Sequence, residues 1–294
     1  LDLVIERTTM KPFVHLHNHT AFSLLDGAGR IEDEVKRAAE LGMPALAITD
    51  HGVMYGAVQF YKSCRANGIK PIIGCEVYVA RRSRFQKEGG RDEKPYHLIL
   101  LAENETGYHN LCKLVTLSYL EGFYYKPRVD RDLLAAHHEG LICLSACLGG
   151  ELPQCLLNGD EEGAREAAIW YRDTFGPEHF YLELQNHGLP EQQVVNDGLL
   201  RLSRTLGLET VCTNDNHYVK REDAQVQDVM LCIQTGKRQD DPDRMRFDNN
   251  EFYLKSYDEM AAAFPGQTAA LDRTVAIADR CQFDFVFGHN HMPY

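Results

Sequence analysis

The chain has 294 residues, 44% of them hydrophobic and 25% charged, which excludes wholesale disorder and leaves room for one large domain or two ordinary ones. Its net charge is −12, so the molecule as a whole cannot hold a polyanion by charge. If it acts on phosphates, local cations must do the work, and bound metal ions are one supply.

KPFVHLH (11–17) is predicted as a strand. RIEDEVKRAAELG (30–42) places Ile31, Val35, Ala38, Ala39 and Leu41 at near-helical spacing, and Gly42 can end the helix. PALAIT (44–49) reads as a buried strand, 54–68 as a helix and PIIGCEVYVA (71–80) as a strand. The polar segment 81–96 reads as a surface loop or small hairpin. HLILLA (97–102) is a strand and 105–122 a helix, followed by a second excursion over 122–132. LICLSA (141–146), HFYLELQ (179–185) and ETVCTN (209–214) are strands, with helices at 161–176 and 191–207. About seven strand–helix units result, the pattern of a parallel sheet or a (β/α) barrel. After roughly residue 235 the alternation fades, with helices expected near 256–264 and 268–281. The expected organisation is a barrel domain over 1–235 and an extension over 236–294 that reads as cut from a longer chain.

No apolar run approaches the ~18 residues of a membrane span, and the first ten residues do not read as a signal peptide. The nine cysteines are odd in number and form no CxxC, so reduced thiols and a cytoplasmic location are expected.

In a (β/α) barrel the C-terminal strand ends converge on one face, where sites are built. His17 and His19 end the first strand two residues apart, pointing to one side. Asp50 and His51 end the second. Glu76 sits in the apolar run PIIGCEVYVA, where a carboxylate is costly unless paired or coordinated. His97 opens its strand, and joins the others only if that strand begins earlier. Cys147 follows the strand 141–146, Asp215 and His217 close the strand 209–214, and Asp26 lies in the loop after the first strand. A lone His normally packs or hydrogen-bonds, and a lone Cys is a small apolar residue. The coincidence of His-x-His, Asp-His and Asp-x-His at strand ends points to a metal site. Imidazoles and carboxylates with one thiolate suit Zn²⁺, Mn²⁺ or Fe²⁺ and argue against an iron–sulfur cluster. Nine candidates exceed one ion, so two or three sharing carboxylates are implied. Clustered divalent ions activate water and clamp both the attacking and leaving oxygens of a phosphate ester.

HLHNHTAFSLLDG, ITDHG, GCEVYVA, HLILLA, SACLGG and TNDNHY resemble the PHP (polymerase and histidinol phosphatase) domain. AVQFYKSCRANGIKPIIGCEVYVA, YLEGFYYKPR, YLELQNHGLPEQ and EFYLKS bring the resemblance closest to the PHP domains at the N-termini of bacterial DNA polymerase III alpha subunits. It covers nearly the whole chain and implies a distorted (β/α)7 barrel with three metals at the C-terminal strand ends. The implied ligands are His17, His19, Glu76 and Asp215 for one ion, Glu76, His97 and Cys147 for a second, and Asp26, His51 and His217 for a third. Asp26, Glu76 and Asp215 are the implied catalytic carboxylates, and Asp50 supports the ligands. The ions implied are Zn²⁺ or Mn²⁺, with Fe²⁺ or Mg²⁺ as alternatives. Cys147 stands where relatives often have His, and a thiolate there favours Zn²⁺.

The activity implied is a phosphodiesterase, a 3′→5′ exonuclease that removes misincorporated nucleotides from a single-stranded or mismatched DNA 3′ end. Its partners would be the rest of the polymerase alpha subunit, whose nucleotidyltransferase site would lie beyond residue 294, and a separate exonuclease subunit; no membrane is involved. Two other readings stay open: a metal-stabilised structural or docking domain, and a phosphomonoesterase. His15 is expected to pack or hydrogen-bond deeper in the barrel. His187 lines the site or caps a turn, and His289 and His291 have no expected role. Residues 81–94 are expected to be a solvated loop. Phe123-Tyr124-Tyr125-Lys126-Pro127-Arg128 is either a packed cluster or a contact for single-stranded DNA through stacking and charge.

Overall fold

A computed structural model describes residues 11–247 and 249–288. In chain order the elements are α1 (Ile31–Glu40), β1 (Ala45–Ile48), α2 (Ala57–Ala66), β2 (Lys70–Val79), β3 (Tyr96–Ala102), α3 (Glu105–Leu120), β4 (Arg128–Val129) and α4 (Arg131–Ala136). Then come β5 (Leu141–Leu144), α5 (Glu151–Leu157), α6 (Glu161–Phe175), β6 (Phe180–Gln185), α7 (Pro190–Leu206), β7 (Thr210–Thr213), α8 (Ala224–Thr235), α9 (Tyr257–Ala263) and α10 (Thr268–Arg280). Local chemistry explains the better-formed helices. α1 buries Ile31, Val35 and Ala38 on one face and carries Glu32 and Asp33 in its first turn, where the helix dipole favours negative charge. α7 starts on a proline and stops at Gly207 in the left-handed conformation.

The strands form one curled sheet in the order β1-β2-β3-β5-β6-β7, with β4 beside the far end of β2. Pairing is parallel except at β3, which runs antiparallel to both β2 and β5. The parallel pairing that the strand–helix alternation suggests therefore holds at every pair except those of β3, within the distorted barrel expected.

Residues 15–19 run between the β1 and β7 ends of the sheet. Ala47 and Thr49 donate to the carbonyls of His15 and Asn18 on one side, at 3.0 and 2.9 Å. On the other side Asn216 donates to the His17 carbonyl and His19 to that of Asn216. The strand expected over 11–17 is therefore an extended stapling segment instead of a regular ladder. Two residues of β1 oppose three of this segment, so it bulges at Leu16–His17. The bulge turns Leu16 into the apolar interior and His17 toward Glu76 and Glu183.

Two core layers result. Ile72, Ile99, Leu101, Ile142, Leu144 and Val211 fill the barrel, and Ile277 and Ala278 of α10 close it from one end. The opposite faces of the strands pack on the surrounding helices. Segment 122–132 contains β4 and the start of α4, and α5 and α8 are additional helices. α5 is short and contains a proline, and α8 exposes Val226, Val229 and Ile233, which blurs its amphipathic pattern. Among the described residues no helix is long and apolar enough to cross a membrane.

Candidate metal centre

The side chains that point into the barrel alternate along each strand, so the polar ones gather at the rim opposite α10. The reversed β3 explains His97. Its strand begins where the parallel strands end, and His97 therefore opens onto the same rim. Gly149 makes room for it, since a Cβ there would lie 3.0 Å from the His97 ring. Two loops that carry predicted site residues leave their strands through left-handed residues. Ala146 (φ 65°) precedes Cys147, and Asp215 itself has φ 44°. Such conformations cost energy in non-glycine residues and persist where the surroundings dictate them.

All nine predicted residues meet at this rim. Glu76 is central. Its Oε1 lies 2.8 Å from His97 Nδ1, 3.7 Å from His17 Nε2 and 3.8 Å from Cys147 Sγ. Its Oε2 faces His51 Nδ1 at close range and lies 3.6 Å from His19 Nε2. Asp215 Oδ1 lies 3.0 and 3.2 Å from the Nε2 atoms of His17 and His19. Asp26 reaches His51 Nε2 at 3.0 Å and His217 Nε2 at 3.7 Å. Three sets have donor atoms within 4.8 Å of one another: His17, His19 and Glu76; Glu76, His97 and Cys147; His19, His51 and His217. Asp215 adjoins the first set and Asp26 the third. His19 belongs to two sets, a sharing that spacing in the sequence does not reveal.

Electrostatics bind the cluster. Burial works against the charged forms of Glu76, Asp215 and Asp26, yet neighbouring imidazoles hold all three well below the usual carboxylate range. Burial likewise opposes charge on His51, but Glu76 and Asp26 raise it to about 10. His17 and His217 are also raised against burial, the first by Asp215 and Glu183, the second by Asp26 and Asp215. His19 is pushed down to about 3 by burial and by its neighbours His51 and His217. Burial pushes the Cys147 thiol up.

These residues fit divalent cations. His51 Nδ1, Glu76 Oε2 and Asp215 Oδ1 are buried and face charged neighbours without a well-aligned hydrogen bond. Oppositely charged groups packed this closely and poorly aligned suit a shared cation between them. The donor set of imidazole, carboxylate and one thiolate is that of a transition-metal or zinc site.

Supporting groups surround the ligands. Asp50 accepts from Thr20 N, Thr20 Oγ1 and Ser23 Oγ, and so shapes the turn between His19 and Asp26. Ser23 Oγ in turn meets His19 Nδ1 at 3.0 Å. The sequence reading missed Glu183. It is buried, accepts from His17 Nδ1 at 2.7 Å, and is held by Thr213 Oγ1 and Gln185 Nε2. A carboxylate inside the apolar run HFYLELQ carries the same signal that singled out Glu76.

His15 and His187 stand apart from the three sets. His15 meets the Lys255 carbonyl at 2.8 Å, because the bulge turns it away from His17. His187 meets the Asn214 carbonyl at 2.8 Å and stacks on Phe252, tying down the loop that carries Asp215. His289 and His291 lie outside the described residues. In the basic loop, Arg82 pairs with Glu88 and Asp92, and Arg84 with Glu121 and Asp130.

Residues 15–187 match the family model of the PHP domain. The chain belongs to the PHP domain family. The DNA polymerase III subunit alpha of Borreliella burgdorferi is 49% identical over 92% of this chain and 24% of its own length. That of Treponema pallidum is 52% identical over 92% of this chain and 23% of its own. The chain thus spans under a quarter of the length of these relatives. A solved two-domain protein of Bacteroides vulgatus, described as containing a predicted PHP-like metal-dependent phosphoesterase, overlays at a TM-score of 0.43. It is 15% identical, over 85% of this chain and 62% of its own, too loosely to add to the argument.

Proposed function

We propose that this PHP domain is a metal-dependent phosphodiesterase that shortens DNA from a single-stranded or mismatched 3′ end, as the proofreading unit of a DNA polymerase III alpha subunit. The observation that carries the reading is the convergence of three potential ligand sets on one rim, two of them sharing Glu76 and two sharing His19. His17, His19, Asp26, His51, Glu76, His97, Cys147, Asp215 and His217 would hold two or three ions, with Zn²⁺ and Mn²⁺ the best matches to the donors. Bound there, divalent ions would supply an activated water and positive charge for the phosphate. Asp26 lines the cleft onto the rim, so it is the carboxylate placed nearest an incoming phosphate and its attacking water. Glu76 and Asp215 hold the cluster together, while Glu183, Asp50 and Ser23 fix the tilt of His17 and His19.

Residues 236–294 are the extension of the barrel domain in this reading, leading toward the rest of the alpha subunit and seated on the barrel through α10. That remainder and a separate exonuclease subunit are the partners proposed, in the cytoplasm. The test is degradation of a 5′-labelled, 3′-mismatched primer with Mn²⁺ or Zn²⁺, then with chelator, beside Asp215→Asn. A ladder shortening from the 3′ end, lost with chelator and with the substitution, is the expected result. No cleavage with metal demonstrably bound overturns the reading in favour of a structural, docking domain.

A further inference from the structure

The cleft of about 210 Å³ that opens onto Asp26 and His51 has a second wall that the metal chemistry does not use. Tyr55, Tyr119 and Lys126 line it, and Lys126 is its one Lys or Arg among the described residues. Tyr55 is 63% and Tyr119 39% exposed, large aromatic rings left facing water beside an acidic rim. Lys126 is exposed as well, its ammonium 5.2 Å from the centre of the Tyr78 ring.

The turn carrying Lys126 is tied down more firmly than a solvated loop requires. Arg128, two residues on, is fully buried and donates to the carbonyls of Gly122, Asp92, Arg84 and Gln86. It also sits opposite Tyr78 in the sheet. Pro127 packs on Gly52, the residue after His51, so closely that a Cβ on Gly52 would come within 2.8 Å of the proline ring. Tyr124 N donates to the Lys126 carbonyl at 3.0 Å, across Tyr125 in the left-handed conformation. The backbone from which the exposed cation projects is therefore held at a set place relative to His51. Burying a guanidinium costs free energy unless its donors are met, and here all that bonding fixes one surface turn.

We infer that Tyr55, Tyr119 and Lys126 form the subsite for the nucleotide flanking the phosphate under attack, the rings taking its base and Lys126 its further phosphate. Stacking needs an unpaired base and is indifferent to its identity, and a point-charge ammonium suits a backbone phosphate. This assignment rests on the phosphodiesterase reading. It makes the site prefer a nucleic-acid strand to a small phosphate ester.

Two probes separate the claims on the 294-residue chain loaded with Mn²⁺: binding of phosphorothioate-linked trithymidylate, and hydrolysis of ethyl methyl phosphate, a diester with neither a base nor an aromatic ring. Lys126→Ala and Tyr55→Ala should each weaken trithymidylate binding about tenfold, and Tyr55→Phe should leave it within about twofold. Lys126→Ala should also reduce the slope of log affinity against log salt by about 0.7, the loss of one single-strand phosphate contact. Hydrolysis of the small ester should stay at the unsubstituted level in all three. Unchanged trithymidylate binding in Lys126→Ala and Tyr55→Ala overturns the subsite, whatever the hydrolysis. Weakened binding in a chain that does not hydrolyse the small ester upholds strand binding by Tyr55, Tyr119 and Lys126, but sinks the phosphodiesterase reading and with it the placement of that strand beside a phosphate under attack.

Discussion

At the end of the barrel closed by α10, Val14, Ile72, Ile99 and Val211 meet Ile277 and Ala278 in one apolar cluster. At the other end, two carboxylates and five imidazoles crowd around Glu76, buried polar atoms face one another without well-aligned hydrogen bonds, and two non-glycine residues are left-handed. The same seven strands supply both ends. The closed end gains from apolar area removed from water, whereas the rim spends stability on groups that need a ligand. Substitutions at the floor should therefore act on folding, and substitutions at the rim on metal and chemistry.

The largest effect expected is at the rim. Asp215→Asn should lower phosphodiester hydrolysis by about 10³-fold or more, since it removes a carboxylate beside His17 and His19. Asn tolerates the left-handed backbone of this position, so the local fold should hold. His17 can lose its proton and keep its bond to Glu183, so melting of the metal-free chain should move little. A large drop in its melting temperature would break the comparison, because the rim would then be carrying the fold.

The floor provides the converse. Ile277 is fully buried on α10, and Ile277→Ala should cost about 2–5 kcal/mol in urea unfolding. Metal content, measured by elemental analysis on chain kept well below its melting point, should match that of the unsubstituted chain. A matching loss of metal would mean that the two ends are coupled through the strands.

The distinction also explains what the sequence made readable. Elements with clean periodicity, such as α1 and α7, and apolar strands such as β5 could be placed from pattern alone, and the residues that converge on the rim could be singled out because motifs sit at strand ends. The direction of β3 could not, since alternation reads the same both ways along a strand, and so His97 looked misplaced until its partners were known. The bulge at Leu16–His17 is equally silent in the sequence, because it is defined by the β1 and β7 hydrogen bonds around it. It decides that His15 leaves the site while His17 and His19 enter it. Glu183 was readable in principle, but it lies outside the motifs and its meaning depends on His17, 166 residues away.

Acid sensitivity sharpens the comparison with groups outside the rim sets. Burial lowers both His15 and His187 to about 4. The unfolded chain takes up protons near the ordinary value of 6.5 that the folded chain refuses, so these histidines leave stability intact above pH 6.5 and erode it as pH falls toward 4. Each should account for on the order of 3 kcal/mol across that window. His51, raised to about 10, has the opposite sign: its contribution is present below pH 6.5 and is lost as pH rises through 10. It therefore does not mask the acid arm. Urea unfolding at pH 7.5, 6 and 5 should show the decline, with His15→Gln losing the His15 share. An identical pH dependence in His15→Gln would mean that His15 is not held neutral in the fold.

Glu183 sits between the two ends and offers the finest test of where the boundary lies. It is one step down the barrel from the rim, and among the described residues its hydrogen bond to a proposed ligand is the 2.7 Å one to His17 Nδ1. A carboxylate on the far nitrogen fixes the tautomer and tilt of a metal-ligating imidazole and raises its basicity. Glu183→Gln keeps an acceptor for His17 and removes the charge, so it should weaken metal binding by about 10–100-fold, or ~1.4–2.8 kcal/mol, in competition with a chromophoric chelator. Unfolding of the metal-free chain is the paired measurement. If metal affinity holds and stability falls, Glu183 belongs with the floor, and the working rim begins one residue layer higher than its buried hydrogen bonds imply.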